Sequence, residues 1–228
     1  MPRRHLRLLA IFAALVIALI TSCGGSAERT VALPDGTRLL ADSAAAMRTV
    51  TSTRFNVDVL GNVPEIRLRS ATGQLTQEGS AKGTASLEQG DQVVELEFVI
   101  LGDTLYLRPP TGPVQKLPLS LAGAVYDPSV ILNPERGVAA VLVSGQGATT
   151  EAREQIAGVD SYRLKVNFPA QPLSTLIPGP PRDKTGQIWI AVQGSRLVQA
   201  QFPAADPEGT ITVRFSDYDL PVEITAPA

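Results

Sequence analysis

The chain has 228 residues, of which 44% are hydrophobic, 18% charged and 5% aromatic, and its formal charge is −2. That apolar fraction excludes a disordered chain and suffices for one domain with a sizeable core. With 20 Lys and Arg against 22 Asp and Glu, the chain lacks the basic excess that neutralises phosphates, so no nucleic-acid partner is expected.

The first element is a targeting segment. Arg3, Arg4 and Arg7 form a cationic start, and Leu8 to Ile20 is an unbroken run of thirteen apolar residues, short of the roughly 20 that a spanning helix needs. The run ends in Ile20-Thr21-Ser22-Cys23, which matches the bacterial lipobox. Residues 1–22 are therefore read as a lipoprotein signal peptide and Cys23 as the lipidated N-terminus, anchored to the membrane by its acyl chains. The competing reading is a buried helix whose cysteine is a small hydrophobe. Two or three acyl chains anchor a protein stably, whereas one is marginal.

Cleavage before Cys23 removes three arginines and His5, which leaves 17 basic and 22 acidic side chains and a formal charge of −5. The mature body then has no histidine, and its one cysteine carries lipid. A Ser-His-Asp triad, a Cys-His pair and a His-ligated metal are excluded by absence. No G-x-S-x-G elbow and no G-x-x-x-x-G-K-[ST] loop occurs, and Gly145-Gln146-Gly147, lacking a third glycine, reads as a loop rather than a phosphate cradle. No enzyme activity, cofactor or metal is expected.

Residues 23–36 form a short polar tether, and residues 37–228 a single domain. Thr37 to Thr49 places Leu40, Ala44 and Met47 at i, i+4 and i+7, which predicts an amphipathic helix. The period then changes to two. Phe55, Val57 and Val59 alternate with polar residues, as do Val94, Leu96, Phe98 and Ile100, then Tyr162, Leu164, Val166 and Phe168, then Ile211, Val213 and Phe215. These are strands with one apolar and one wet face, the mark of antiparallel pairing. Thr72-Gly73, Gly90-Asp91, Gly102-Asp103, Gly194-Ser195 and Glu208-Gly209 are read as the turns between strands.

A helical texture interrupts the strands. Asp127 or Ser129 caps a turn that stops at Asn133-Pro134, Gly137 opens a short apolar helix through Val141 and Leu142, and Leu173 to Ile177 lies between Pro172 and Pro178. The order of elements predicts an α+β fold: one antiparallel sheet whose apolar face is covered by a few short helices.

The lipobox, the strand pattern, the stretch Tyr126-Asp127-Pro128-Ser129-Val130-Ile131-Leu132-Asn133-Pro134-Glu135-Arg136-Gly137, and Gly158-Val159-Asp160 before a strand resemble the mycobacterial LppX/LprA/LprF/LprG lipoproteins. The resemblance covers roughly residues 39–227. It implies a half-barrel sheet of LolA/LolB type with helices on its concave side, enclosing an apolar cavity for the acyl chains of lipids or glycolipids carried across the periplasm to the outer envelope. It also implies a location on the outer face of the cell membrane, facing the periplasm, and an envelope lipid exporter as a partner. Tyr218 stands where family members often have Trp, and the loop at 178–185 is unusually rich in proline, so cavity size and cargo can differ.

From pattern alone, an apolar sheet face can pack solid against helices or stay open for lipid. The candidate lining residues are Phe55, Val57, Val59, Leu96, Phe98, Ile100, Leu142, Leu164, Val166, Leu176 and Ile190, each of which is also an ordinary core residue. Glu95 and Glu97, two apart on a strand, have the spacing of a carboxylate pair but belong to the wet face. Asp217 and Asp219 flank Tyr218, and a lone D-x-D without further cation ligands reads as a turn. Trp189 alternates with Ile188 and Ile190 and fits either an interface or a place under a loop. Two function classes follow: a non-catalytic lipid carrier, and an envelope lipoprotein that scaffolds or regulates a transporter or assembly without carrying lipid.

Overall fold

The computed structural model describes residues 32–61, 63, 67–90, 92–120, 130–177, 181–204 and 209–227. Residues 1–22, Cys23, most of the tether and Tyr126 to Ser129 lie outside the described residues.

The first helix, α1, spans Gly36–Arg48. Its start is fixed by Asp35, whose side chain accepts a hydrogen bond from the Arg38 N–H at 2.8 Å. Leu40, Ala44 and Met47 are buried on one face, as the spacing predicts. Eleven strands follow among the described residues: β1 (Ser52–Leu60), β2 (Leu68–Thr76), β3 (Ala81–Gln89), β4 (Gln92–Leu101), β5 (Thr104–Arg108), β6 (Gln115–Pro118), β7 (Gln146–Ile156), β8 (Val159–Phe168), β9 (Lys184–Ala191), β10 (Leu197–Pro203) and β11 (Thr210–Ser216). Helix α2 (Val138–Ser144) precedes β7, and α3 (Ala170–Leu173) follows β8.

All strands join one open sheet in the order β6-β5-β4-β3-β2-β1-β11-β10-β9-β8-β7, with each neighbouring pair antiparallel. The first six strands run outward as a meander, the last five run back as another, and β1 against β11 joins them. This is the α+β fold expected, a single half-barrel sheet with few helices. Register follows the apolar alternation: Phe55 pairs with Phe215, Val57 with Val213 and Val59 with Ile211, so both strands turn the same face inward. The helices rest mainly on one side of this inner face, with α1 against α2, β7 and β9, and α2 against β8.

Three local expectations change. Thr72-Gly73 is no turn: it lies inside β2, opposite Thr84 and Gly83 of β3. A Cβ at Gly73 would stand 2.3 Å from the Lys82 carbonyl oxygen and 3.0 Å from the Phe55 ring, so the glycine serves close packing. The helix expected over Leu173 to Ile177 begins earlier, at Ala170, and includes Pro172. Pro172 is its third residue, where an N–H has no partner within the helix, and proline there breaks nothing. Gly145-Gln146-Gly147 is not a free loop either, since Gly145 ends α2 and Gln146 opens β7.

Turns at Gly102-Asp103 and Gly194-Ser195 stand where expected. Glu95 and Glu97 are exposed on the outer face, and Glu97 faces Arg108 at 3.5 Å. Trp189 is outward of the main core yet only 4% exposed, because Ala191, Val198 and Ile156 pack around it. Its indole N–H donates to Glu154 at 2.7 Å, which satisfies the buried donor.

Candidate functional site

The site is built from the inner face of β8–β11 and the helical segment above it. On β8 and β9, alternation turns Val166, Phe168, Ile188 and Ile190 inward, and all are buried. On β10 a register shift between Leu197 and Gln199 keeps Leu197, Ala200 and Phe202 with the core while Val198 joins Trp189 outside. Gly186 leaves room for Phe202, whose ring atoms would lie 2.6 Å from a Cβ at that position. Phe202 meets Phe168 edge to face, with ring centroids 5.7 Å apart and planes at 66°.

The cover is held by backbone and small polar groups. The Asn133 side chain accepts hydrogen bonds from the Glu135 and Arg136 N–H groups, both at 3.0 Å, and so forms the turn that the Asn133-Pro134 stop predicts. Gly137 N–H donates to the Asn133 carbonyl at 2.8 Å, and Val138 N–H to that of Ile131 at 2.9 Å. Thr175 Oγ1 donates to the Arg136 carbonyl at 2.8 Å, tying the segment after α3 to the one before α2.

Between cover and sheet lies an apolar cavity of about 60 Å³. Its roof is Ile131, Val138, Val141, Leu142, Leu173, Leu176 and Ile177; its floor is Phe168, Ile188, Leu197, Ala200, Phe202, Val213 and Phe215. The space is smaller than the roughly 150 Å³ cavity that admits a benzene ring. A second hollow, about 320 Å³, lies on the outer face among Glu151, Lys165, Thr185, Gln187, Gln201 and Thr210. It is larger but mixed, with Gln187 donating to Glu151 at 2.8 Å, so an acyl chain there would lie against polar groups on part of its length.

Of the residues singled out from the sequence, Leu142 and Leu176 line the inner cavity. Phe55, Val57, Val59, Phe98, Ile100, Leu164, Val166 and Ile190 are buried in the same continuous core, and Leu96 packs half-buried against it. Phe168, Ile188 and Phe215, read only as strand residues, and Ala200 and Phe202 line the cavity without having been among the lining candidates. Phe168 and Ile188 share the alternation of Val166 and Ile190, and that signal was available in the sequence.

Away from the cavity, Asp217-Tyr218-Asp219 forms a turn in which both aspartates have positive φ, 51° and 58°. Asp219 accepts the Thr51 N–H at 2.8 Å and the Thr51 hydroxyl at 3.1 Å, and pairs with Arg196 at 2.5 Å. Burial works to raise its pKa, but the Thr51 and Arg196 contacts outweigh burial and hold the carboxyl below the usual range. The Arg196 guanidinium lies 4.9 Å from the Tyr218 ring centre, and the Tyr218 hydroxyl donates to the Leu197 carbonyl. Burial pushes the Tyr218 hydroxyl well above the ordinary phenol value, so it stays protonated as the donor.

This geometry can be set beside known proteins. The LppX_LprAFG lipoprotein family matches residues 35–224. The chain belongs to that family. A relative from Mycolicibacterium smegmatis, named lipoarabinomannan carrier protein LprG, is 34% identical over 236 residues, covering 100% of this chain and 98% of its own. The LprG of Mycobacterium tuberculosis strain H37Rv is 29% identical, covering 99% of this chain and 98% of its own. Two solved structures share the LppX_LprAFG fold. LprF from Mycobacterium bovis superposes with a TM-score of 0.75 at 24% identity, covering 85% of this chain and 97% of LprF. LppX from Mycobacterium tuberculosis gives 0.63 at 22%, covering 82% of this chain and 98% of LppX. Among the described residues no helix is long and apolar enough to cross a membrane.

Proposed function

We propose that the protein is a non-catalytic lipoprotein, anchored through acylated Cys23 on the outer face of the cell membrane. There it binds acyl chains of lipids or glycolipids under α2 and α3 and carries them across the periplasm to the outer envelope. The observation that carries the reading is the wholly aliphatic and phenylalanine lining of the inner cavity. The full-length similarity to proteins named lipoarabinomannan carriers supports glycolipid as the cargo class, and an envelope lipid exporter is the natural donor.

The chemistry is burial. An acyl chain gains about 0.8 kcal/mol per CH₂ removed from water, so a sixteen-carbon chain gains on the order of 10 kcal/mol before ordering costs. A cavity of about 60 Å³ does not hold such a chain, so loading requires the roof from Ile131 to Leu142 and Leu173 to Ile177 to move off the sheet. Lifting that roof uncovers Ile131, Leu132, Val138, Leu142 and Leu173, which are buried in the core, and the incoming acyl chain offsets the cost by covering the same apolar surface. Release needs only a second apolar environment, in keeping with a mature chain that has no histidine.

The small cavity also favours a second reading, in which the core stays closed and the protein scaffolds or regulates an envelope assembly. Ala200→Val separates the two. Filling the space between Ala200 and the roof raises stability by about 0.5–2 kcal/mol in either case. In a carrier the substitution also reduces co-purifying lipid; in a scaffold there is no lipid to lose. Melting temperature and lipid content are measured on the same preparation, and lipid content unchanged by the filled cavity overturns the carrier site described here.

A further inference from the structure

The apolar floor of the cavity ends in a charge. Residues paired directly across two strands turn to the same side of a sheet, and Phe168 of β8 pairs with Lys184 of β9. Lys184 therefore faces inward with Gly186, Ile188 and Ile190, and it is half-buried. Phe168 lines the cavity, and Gly186 makes room for the Phe202 ring. The Lys184 stem thus stands at the end of the floor, one inner-face position beyond Gly186. The roof passes the same place, because Asp183 Oδ1 accepts the Ala170 N–H at 2.8 Å where α3 begins. Leu176 and Ile177, just after α3, are half-buried whereas the other roof residues are buried, so the cover thins on the α3 side.

The Lys184 ammonium has no counter-charge among the described residues. Its Nζ reaches the Pro203 carbonyl at 3.5 Å, a long and weak contact. No described carboxylate pairs with it, and the neighbouring Asp183 is engaged by the α3 backbone. The far end of the same face is built differently. Alternation along β8 turns Asp160 inward as well, and there Arg153 pairs with it at 2.5 Å. A lysine stem lying on apolar surface with its head in water is ordinary. What gives Lys184 a meaning is its place, since a lipid whose acyl chain fills the cavity and whose head emerges on the α3 side brings that head to the ammonium.

We infer that Lys184 is the head-group contact of the acyl-chain site and makes the site prefer lipids with a phosphate in the head group over neutral ones. The inference rests on the carrier reading and deepens it by naming the residue that selects the cargo. An ammonium is a point charge with three donors, which suits a phosphate oxygen without demanding one bidentate geometry. A single, partly solvated charge pair adds selectivity more than affinity, and the acyl chain supplies the affinity.

The test uses the full acylated chain, incubated with vesicles that hold equal amounts of phosphatidylglycerol and galactosyl diacylglycerol with the same acyl chains. The protein is re-isolated in mild detergent, and native mass spectrometry identifies each bound lipid by its mass. The wild type is expected to take the phosphate lipid about fivefold over the neutral one. Lys184→Met abolishes that preference, and Lys184→Arg, which keeps the charge, retains it. Added sodium chloride lowers the wild-type preference by screening, a readout that stands even where Lys184→Met does not fold. Equal adducts in the wild type, or a preference that persists in Lys184→Met or under salt, overturn the inference and leave the carrier reading in place. No adduct of either lipid removes the carrier reading and the head-group contact with it. Inorganic phosphate alone, followed by its phosphorus-31 line width, is expected to show no binding that depends on Lys184. Lys184-dependent broadening without a lipid preference marks a free-anion site and overturns the head-group role.

Discussion

Asp219 joins three parts of the chain that are remote in sequence: its own turn after β11, Thr51 before β1, and Arg196 before β10. Its folded pKa is depressed, so it contributes stability that is fully present above the ordinary carboxylate value near 4 and is lost as pH falls through the lower folded value. Asp219→Asn keeps a side chain that tolerates positive φ but removes the charge. The expected cost at pH 7 is about 1 kcal/mol, because the ion pair is partly exposed to solvent. Urea unfolding at pH 7 and pH 3 checks this: the difference between wild type and variant should shrink at the lower pH. A difference that persists unchanged at pH 3 means the carboxylate charge is not what holds the turn. The sequence showed that Asp217 and Asp219 belong to a turn, but their partners lie more than 150 positions away or on another hairpin, and no local pattern names them.

The helical cover depends on Gly137. A Cβ there would lie 2.3 Å from the Ile131 carbonyl oxygen, 2.5 Å from that of Val130 and 2.6 Å from that of Asn133. Gly137→Ala must therefore push apart the turn that caps α2, at an expected cost of roughly 1–3 kcal/mol. Because the turn carries the cavity roof, hydrogen exchange should quicken over Ile131 to Leu142 more than over β8 and β9. Uniform quickening across both would show that roof and sheet open as one unit. Glycine is also where the sequence was hardest to read. Gly102 and Gly194, at positive φ, form turns as their neighbours suggest, whereas Gly73 has the same dipeptide look and sits mid-strand under Phe55. The missing side chain serves a turn in one case and a close approach in the other. Apolar alternation, by contrast, placed β1, β4, β8 and β11 correctly, because each turns its large apolar side chains to one face. Pro172 misplaced α3 for a related reason, since proline is compatible with the first turn of a helix as well as with its boundary.

At the scale of the molecule, the fold is two meanders joined through β1 and β11, with helices concentrated over β7–β9. Among the described residues, β6 and β7 each pair with a strand on one side only. β7 carries two register shifts against β8, and its own Glu151 and Glu154 pair with Arg163 of β8, features that oppose strand addition at that edge. Antiparallel class, single sheet and apolar inner face were all legible in the sequence. The size of the cavity was not, because the same alternating Val, Leu, Ile and Phe pattern fits a filled and an open inner face. Whether the roof lifts to admit lipid is therefore the claim on which the functional account turns. The most direct test is native mass spectrometry of the Cys23→Ala chain, which lacks its own acyl groups, before and after incubation with glycolipid-containing vesicles. The account predicts a discrete adduct with the mass of one acylated lipid, reduced in amount by Ala200→Val. A protein that stays at its polypeptide mass under both conditions would contradict it.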